Sequence, residues 1–240
     1  MAKQSLREKL LDKQKKLKEK GQGGSMIFFK EGVTRWRPVP VGDGESDWGF
    51  EVMYVYLNKE LGGYISPKTF GGKDAYIEEW EQMKGAKDED DRAFAKKMAP
   101  KKRYLVAGVK YKDEKGQEID EEMGVKLALC SGGLYNEMID LFLDEDDAGD
   151  FTDPIKGYDL KTKRSGKGQF DTEYHIMKCK PSKLPKKFRG PYNLEEMIKA
   201  VIPTYKQTKE YLEKFLGGSA EEEETVVKKK KKKKSPKGDL

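Results

Sequence analysis

One histidine and two cysteines are all that 240 residues offer to imidazole or thiol chemistry. Cys130 and Cys179 form no CxxC pair and have no zinc-ligand spacing. A single bridge between them is one option, and two reduced, partly buried thiols are the other. His175 sits between Tyr174 and Ile176 in a strand-like run, which is a structural place rather than that of a general base. No Ser/His/Asp or Cys/His constellation can be assembled around it. GKGQ at 166–169 is not a P-loop, because the GxxxxGK[ST] spacing is absent. No apolar run reaches about 18 residues, so no transmembrane helix is expected. The basic N-terminus has no apolar core of a leader peptide, so a cytoplasmic protein is expected. Nothing in the residues asks for a cofactor.

Apolar residues are also scarce, at 35% against 38% charged. Part of the length is therefore expected to lie outside a packed core. The net charge of +6 is unevenly spread. Residues 1–20 carry eight Lys/Arg against three acids, and residues 220–240 carry eight Lys against five acids. The ends thus sum to +8 (+5 and +3), leaving the body near −2. Within the body, Lys101 to Lys112 holds five cations and no acid, and Asp140 to Asp153 seven acids and no cation. Lys156 to Arg189 holds eleven cations against three acids. Segregation of this kind points to a basic face.

Periodicity organises the chain. Residues 1–24 read as a basic helical arm closed by GQGG. Strands are expected at Val33–Val41, Phe50–Leu57, Lys102–Lys112, Met123–Cys130, Tyr158–Arg164 and Thr172–Lys180. Residues 58–100 read as an insertion with short helices at Ala75–Met83 and Glu89–Met98. A helix follows the fourth strand, from SGGLYNEMIDLF. Residues 191–217 read as C-terminal helices broken at Pro203, and 218–240 as a disordered charged tail. The expected class is mainly β with helices (α+β). A helix among short hairpin-linked strands suits an OB-type barrel of five to six strands over 25–190, with a helical insertion and flanking helices. Periodicity alone also allows another α+β barrel.

Strand-like runs between Pro100 and Pro185 interleave rings and cations, which offers phosphates a charge and bases a flat surface. The candidates for phosphate contact are Arg35, Arg37, Lys101, Lys102, Arg103, Lys110, Lys161, Lys163, Arg164, Lys178 and Lys180. The candidates for base stacking are Tyr54, Tyr56, Tyr104, Tyr111 and Tyr174; Trp36 joins them but reads better as core. Strand parity sets Tyr54 and Tyr56 opposite an aliphatic face of Met53, Val55 and Leu57. It likewise sets Lys161 and Lys163 opposite Tyr158 and Leu160, and gives Tyr104 and Lys110 one face of the third strand.

PKKRYLV, DEDDAGDFTDP, KGYDLKTKR and TEYHIMKCKPSKLP, with the early FKEGVTRWRPVP, resemble the helix-destabilising single-stranded DNA-binding proteins of large tailed bacteriophages. The resemblance covers roughly residues 1–190. It implies an OB-fold that coats single-stranded DNA with little sequence preference in phage replication, recombination and repair. It also implies self-association along DNA through the N-terminal arm, and partners among replication and recombination proteins. Two departures follow. The best-known members hold zinc in a Cys/His cluster, but 58–100 has no Cys and no His, so a zinc-less variant is expected. They also end in a long acidic tail, whereas Glu221 to Glu224 is followed here by seven lysines. The alternative is a metal-dependent nuclease, or another nucleic-acid-processing enzyme, built on the acidic loop 144–153. A lysine-tail packaging protein for RNA or duplex is a third reading.

Overall fold

The computed structural model describes residues 26–42, 48–119, 124–144, 149–166 and 171–217. The arm, the charged tail, the tip of the GKGQ hairpin and residues 145–148 lie outside them. In chain order the elements are β1 (Met26–Ile27), β2 (Gly32–Pro38), β3 (Gly49–Asn58), β4 (Gly62–Ile65), α1 (Ala75–Gly85) and α2 (Glu89–Met98). Then come β5 (Lys101–Val109), β6 (Lys126–Cys130), α3 (Gly132–Leu143), β7 (Tyr158–Ser165), β8 (Glu173–Pro181) and α4 (Leu194–Lys199). A last helix, α5, spans 205–217. The chain is α+β and forms two compact units. One is Met1–Glu51 with Arg103–Val201, the other Val52–Lys102 with Ile202–Leu240.

In the first unit the strands follow an open path, β1-β6-β5-β2-β7-β8. β1 runs parallel to β6, and the other neighbours are antiparallel. β2 is shared. Its residues 32–36 pair with β7, whereas Arg37 and Pro38 pair with β5. It stops at Pro38, short of the expected Val41, because Pro38 and Pro40 bring no N–H to a ladder. Ser131 caps α3 by accepting from Leu134 N. From α3, Glu137 Oε2 accepts from Ile176 N at 3.0 Å, so a carboxylate satisfies a backbone donor of the terminal strand β8.

The core of this unit gathers Phe29, Trp36, Val106, Ala128, Leu134, Met138, Phe151, Tyr158 and Leu160. Trp36 is fully buried and donates its indole N–H to Thr162 Oγ1 at 3.0 Å. That settles its place as core, since a buried indole needs an acceptor. Its ring leaves no room beside Gly108, where an added Cβ would lie 2.6 Å from Trp36 Cε3.

The second unit packs Val55, Leu57, Tyr64, Tyr76, Ile77 and Met98 against Tyr211, Leu212 and Phe215 of α5. Asp74 organises it from complete burial. Its carboxylate caps α1 by accepting from Tyr76 N and Ile77 N, and also accepts from Tyr64 Oη at 3.0 Å and Ser66 Oγ at 2.6 Å. Four donors satisfy the charge that burial would otherwise penalise. The unit includes the expected insertion, together with most of β3, the short strand β4 and α5.

Gly108→Ala should lower stability by about 1–3 kcal/mol, because the methyl must displace the Trp36 ring in a filled core. Urea denaturation followed by tryptophan fluorescence measures it. An unchanged midpoint would mean that the indole has room to shift.

Candidate nucleic-acid interface

β2, β7 and β8 form a three-stranded ribbon whose register sorts the nominated residues by face. Arg35 lies opposite Lys161, and Val33 opposite Lys163 on one side; Met177 and His175 face the same two lysines from the other. These residues share the outward face. Trp36, Leu160 and Thr162 share the inward face with Ile176. The parity argument therefore places Lys161 and Lys163 as the register does.

β8 does not follow simple alternation. Between Leu160↔Lys178 and Tyr158↔Pro181 it carries one extra residue, a β-bulge opposite Asp159. The bulge lets consecutive residues line the same depression, as bulges re-aim side chains. The result is a groove of about 530 Å³ lined by Arg35, Lys161, Lys178, Lys180, Met177 and Cys179, with Pro181 and Ser182 at its end. Four of the nominated cations meet here, and no carboxylate is among the lining residues.

Beneath the groove lies a buried ionic cluster. Asp159 is fully buried. Its Oδ2 accepts from Arg35 Nε at 2.8 Å and faces Arg35 Nη2 at 2.7 Å. Its Oδ1 accepts from Tyr111 Oη at 2.7 Å, and Arg37 Nη1 stands 3.6 Å from the same oxygen. Arg37 Nη2 donates to Asp153 O at 2.8 Å. Gly157 makes this approach feasible, because a Cβ there would sit 2.8 Å from Arg37 Nη2 and 2.5 Å from Asp153 O. Arg37 Nε and Nη1 have no hydrogen-bond partner among the described residues.

The electrostatics follow from this geometry. Desolvation works against the charge on Arg35, but the hydrogen bond and charge of Asp159 outweigh it and raise its pKa. At Arg37 desolvation prevails over the pull of Asp159, and the pKa falls. Burial first, then the bond to Asp159, pushes the Tyr111 phenol up to about 12. Burial also raises the Cys179 thiol. Cys179 and Cys130 are both free thiols.

Several nominated residues have other places. Arg37 is fully buried and meets Asp159 instead of the surface. Tyr111 is buried for the same reason. Tyr54 is buried because β3 is covered on both sides around it, with Val52 and Val55 also buried. Arg164 pairs across from Tyr174 on the inward face and reaches Thr172 Oγ1 at 3.4 Å, away from Lys163. Tyr174 sets its ring edge-on to Phe29. Tyr104 stacks on Tyr135 at 4.1 Å and donates to Glu51 Oε2 at 3.1 Å, so one of its faces is taken. Tyr56 is 49% exposed and belongs to the second unit, as do Lys101 and Lys102. Arg103 and Lys110 are half-buried in or just after β5.

Sequence reasoning missed Asp159, Met177 and Ser182. An acid flanked by Tyr158 and Leu160 within a basic run was the one available signal for Asp159. In the acidic loop, Asp150 accepts from Thr152 N and Thr152 Oγ1, and Asp153 accepts from Ile155 N and Lys156 N. These bonds build turns, and the two backbone donors lower the pKa of Asp153. No group of three or more potential metal ligands occurs among the described residues, and no helix there is long and apolar enough to cross a membrane. No protein-family model matches the chain, and no curated protein matches it.

Asp159→Ala should cost about 3–5 kcal/mol, because it leaves buried Arg37 without its carboxylate; a thermal melt of the variant checks this. Tyr111 gives a pH dependence of definite sign. Its raised pKa means that the native state holds the proton more tightly, so its contribution is full below about pH 10 and is lost as pH rises through about 12. Urea midpoints should fall over that window in the parent protein. Tyr111→Phe should flatten part of the fall, and parallel curves would contradict the assignment.

Proposed function

We propose that the protein binds single-stranded DNA without catalysis, as a coating protein of the helix-destabilising phage type, acting in replication, recombination and repair. The observation that carries this reading is the groove itself. Arg35, Lys161, Lys178 and Lys180, drawn from three strands, line one acid-free depression beside an exposed methionine. Such a surface suits a sugar–phosphate backbone. Phosphates meet the cations, and Met177 offers an apolar contact to whatever base or sugar lies over it. No Asn, Gln, Asp or Glu is among the lining residues to read adenine or cytosine edges, and sequence preference is expected to be slight on this reading.

The OB-type reading draws support from β2, shared by two sets of strands, and from α3, which touches both β6 and β8. A helix between the strand sets and a basic outer ribbon is the arrangement an open barrel of this kind uses. Self-association through the arm at 1–24 and recruitment of replication or recombination partners belong to the same proposal.

Anisotropy of labelled oligo-dT, a matching duplex and a matching RNA, across a salt series, tests it. Oligo-dT should bind best. Lys161→Ala and Lys180→Ala should each weaken binding and reduce the slope of log K against log salt by about 0.7. Deleting 220–240 should leave most of the affinity. Equal or better binding to duplex, or slopes untouched by both substitutions, would sink the reading.

A further inference from the structure

Arg35 has two claims on it. The proposed function needs its guanidinium for phosphate, yet Asp159 already holds it through Nε and Nη2. If Arg35 were the carboxylate's only cation, turning to a phosphate would strand a buried anion, a change that costs as much as breaking a buried ion pair. Arg35 would then stay with Asp159 and add little to binding. The cluster contains a second cation, however. Arg37 is fully buried, has Nε and Nη1 unpartnered among the described residues, and holds Nη1 3.6 Å from Asp159 Oδ1. That distance is an ion pair but not yet a hydrogen bond. Two arginines thus share one carboxylate, and each is only partly neutralised.

We infer that Asp159 is a shared counter-ion exchanged on binding: as Arg35 turns to a nucleic-acid phosphate, Arg37 closes on Asp159 and takes over its charge. Arg37 is then a positioning residue, which never touches the ligand but frees Arg35 to do so. Three features support the exchange. Arg35 is the partly exposed member, with a side chain 14% accessible, and it lines the groove, whereas the Arg37 side chain is sealed. Tyr111 keeps its hold on Oδ1 throughout, so the carboxylate does not have to move. The spare donors of Arg37 are already inside the cluster, and closure asks only for a short shift of one guanidinium. The inference rests on the groove being the strand-binding site.

The test reads salt slopes for oligo-dT in the full chain with Lys161→Ala, Arg35→Met, Arg37→Met and the double variant of both arginines. Lys161→Ala is the control for the groove, and its failure to change the slope, together with that of Lys180→Ala, overturns the functional reading itself. With that control in order, Arg37→Met should lower the slope by about 0.7, as Arg35→Met does, and the double variant should lose no more than either alone. A buried arginine with a purely structural role would leave the slope at the parent value, and that result overturns the exchange. If Arg37→Met does not fold, the parent protein decides the matter by nitrogen-15 NMR of its arginine side chains during an oligo-dT titration. The Arg35 and Arg37 Nε–H signals should move together, although Arg37 is out of reach of DNA. Movement at Arg35 alone overturns the inference.

Discussion

A single buried carboxylate constrains the basic face. Asp159 lies in the middle of the ribbon, beneath the groove, and its two oxygens take donors from β2 and from Tyr111 just beyond β5. A lone carboxylate in such a place would protonate or expel its neighbours, since isolated buried charge is costly. Here it is what allows arginines to enter. Arg35 and Arg37 follow the same strand parity, so both point at the same acid, one at the rim of the groove and one sealed below it. Removing either cation or the acid alters the charge seen by everything that lines the groove, and removing the phenol takes a hydrogen bond from the acid.

The backbone is shaped to suit that cluster. Gly157 lets Arg37 reach Asp153 O, and the bulge in β8 stands opposite Asp159. β2 changes partner between Trp36 and Arg37, at the point where the strand passes from the indole that fills the core to the guanidinium that meets the acid. Core and groove are therefore adjacent consequences of one strand. Thr34 and Trp36 fill the interior on one parity, and Arg35 and Arg37 carry the charge on the other.

Much of this was legible from pattern and some of it was not, for reasons that differ by element. Alternation works on β7 from Leu160 to Lys163, where Leu160 and Thr162 are buried while Lys161 and Lys163 face outward, and it breaks at Asp159, which shares the parity of the lysines but is buried. It fails on β3 at Tyr54, which is buried although it opposes an aliphatic face because the strand is covered on both sides there, whereas Tyr56 on the same face is exposed. It fails again at the end of β8, where the extra residue breaks the period and no local residue announces it. β1 and β4, of two and four residues, are too short to show a period at all. The place of Arg37 depends on Asp159, more than a hundred residues away in the chain. Residue type marked it as a cation, and only the fold could turn it inward. The capped helices needed no such help. Asp74, Asp88 and Ser131 each stand before a run of helical spacing and accept from its first free N–H groups.

The withdrawal of aromatic side chains changes the physical character of the proposed binding face. Trp36, Tyr54 and Tyr111 are spent on the core, Tyr104 on Tyr135 and Tyr174 on Phe29. The groove keeps cations and a methionine. A face of that kind draws its affinity from released counter-ions more than from stacked bases, so affinity tracks ionic strength more closely than sequence. A charge-driven face must also avoid holding its own cations too tightly, because every internal ion pair competes with the ligand. Lys161 and Lys180 stand clear of any acid among the lining residues. Arg35 is held from below by the buried Asp159, and on the exchange proposed above the second arginine is what frees it for a phosphate.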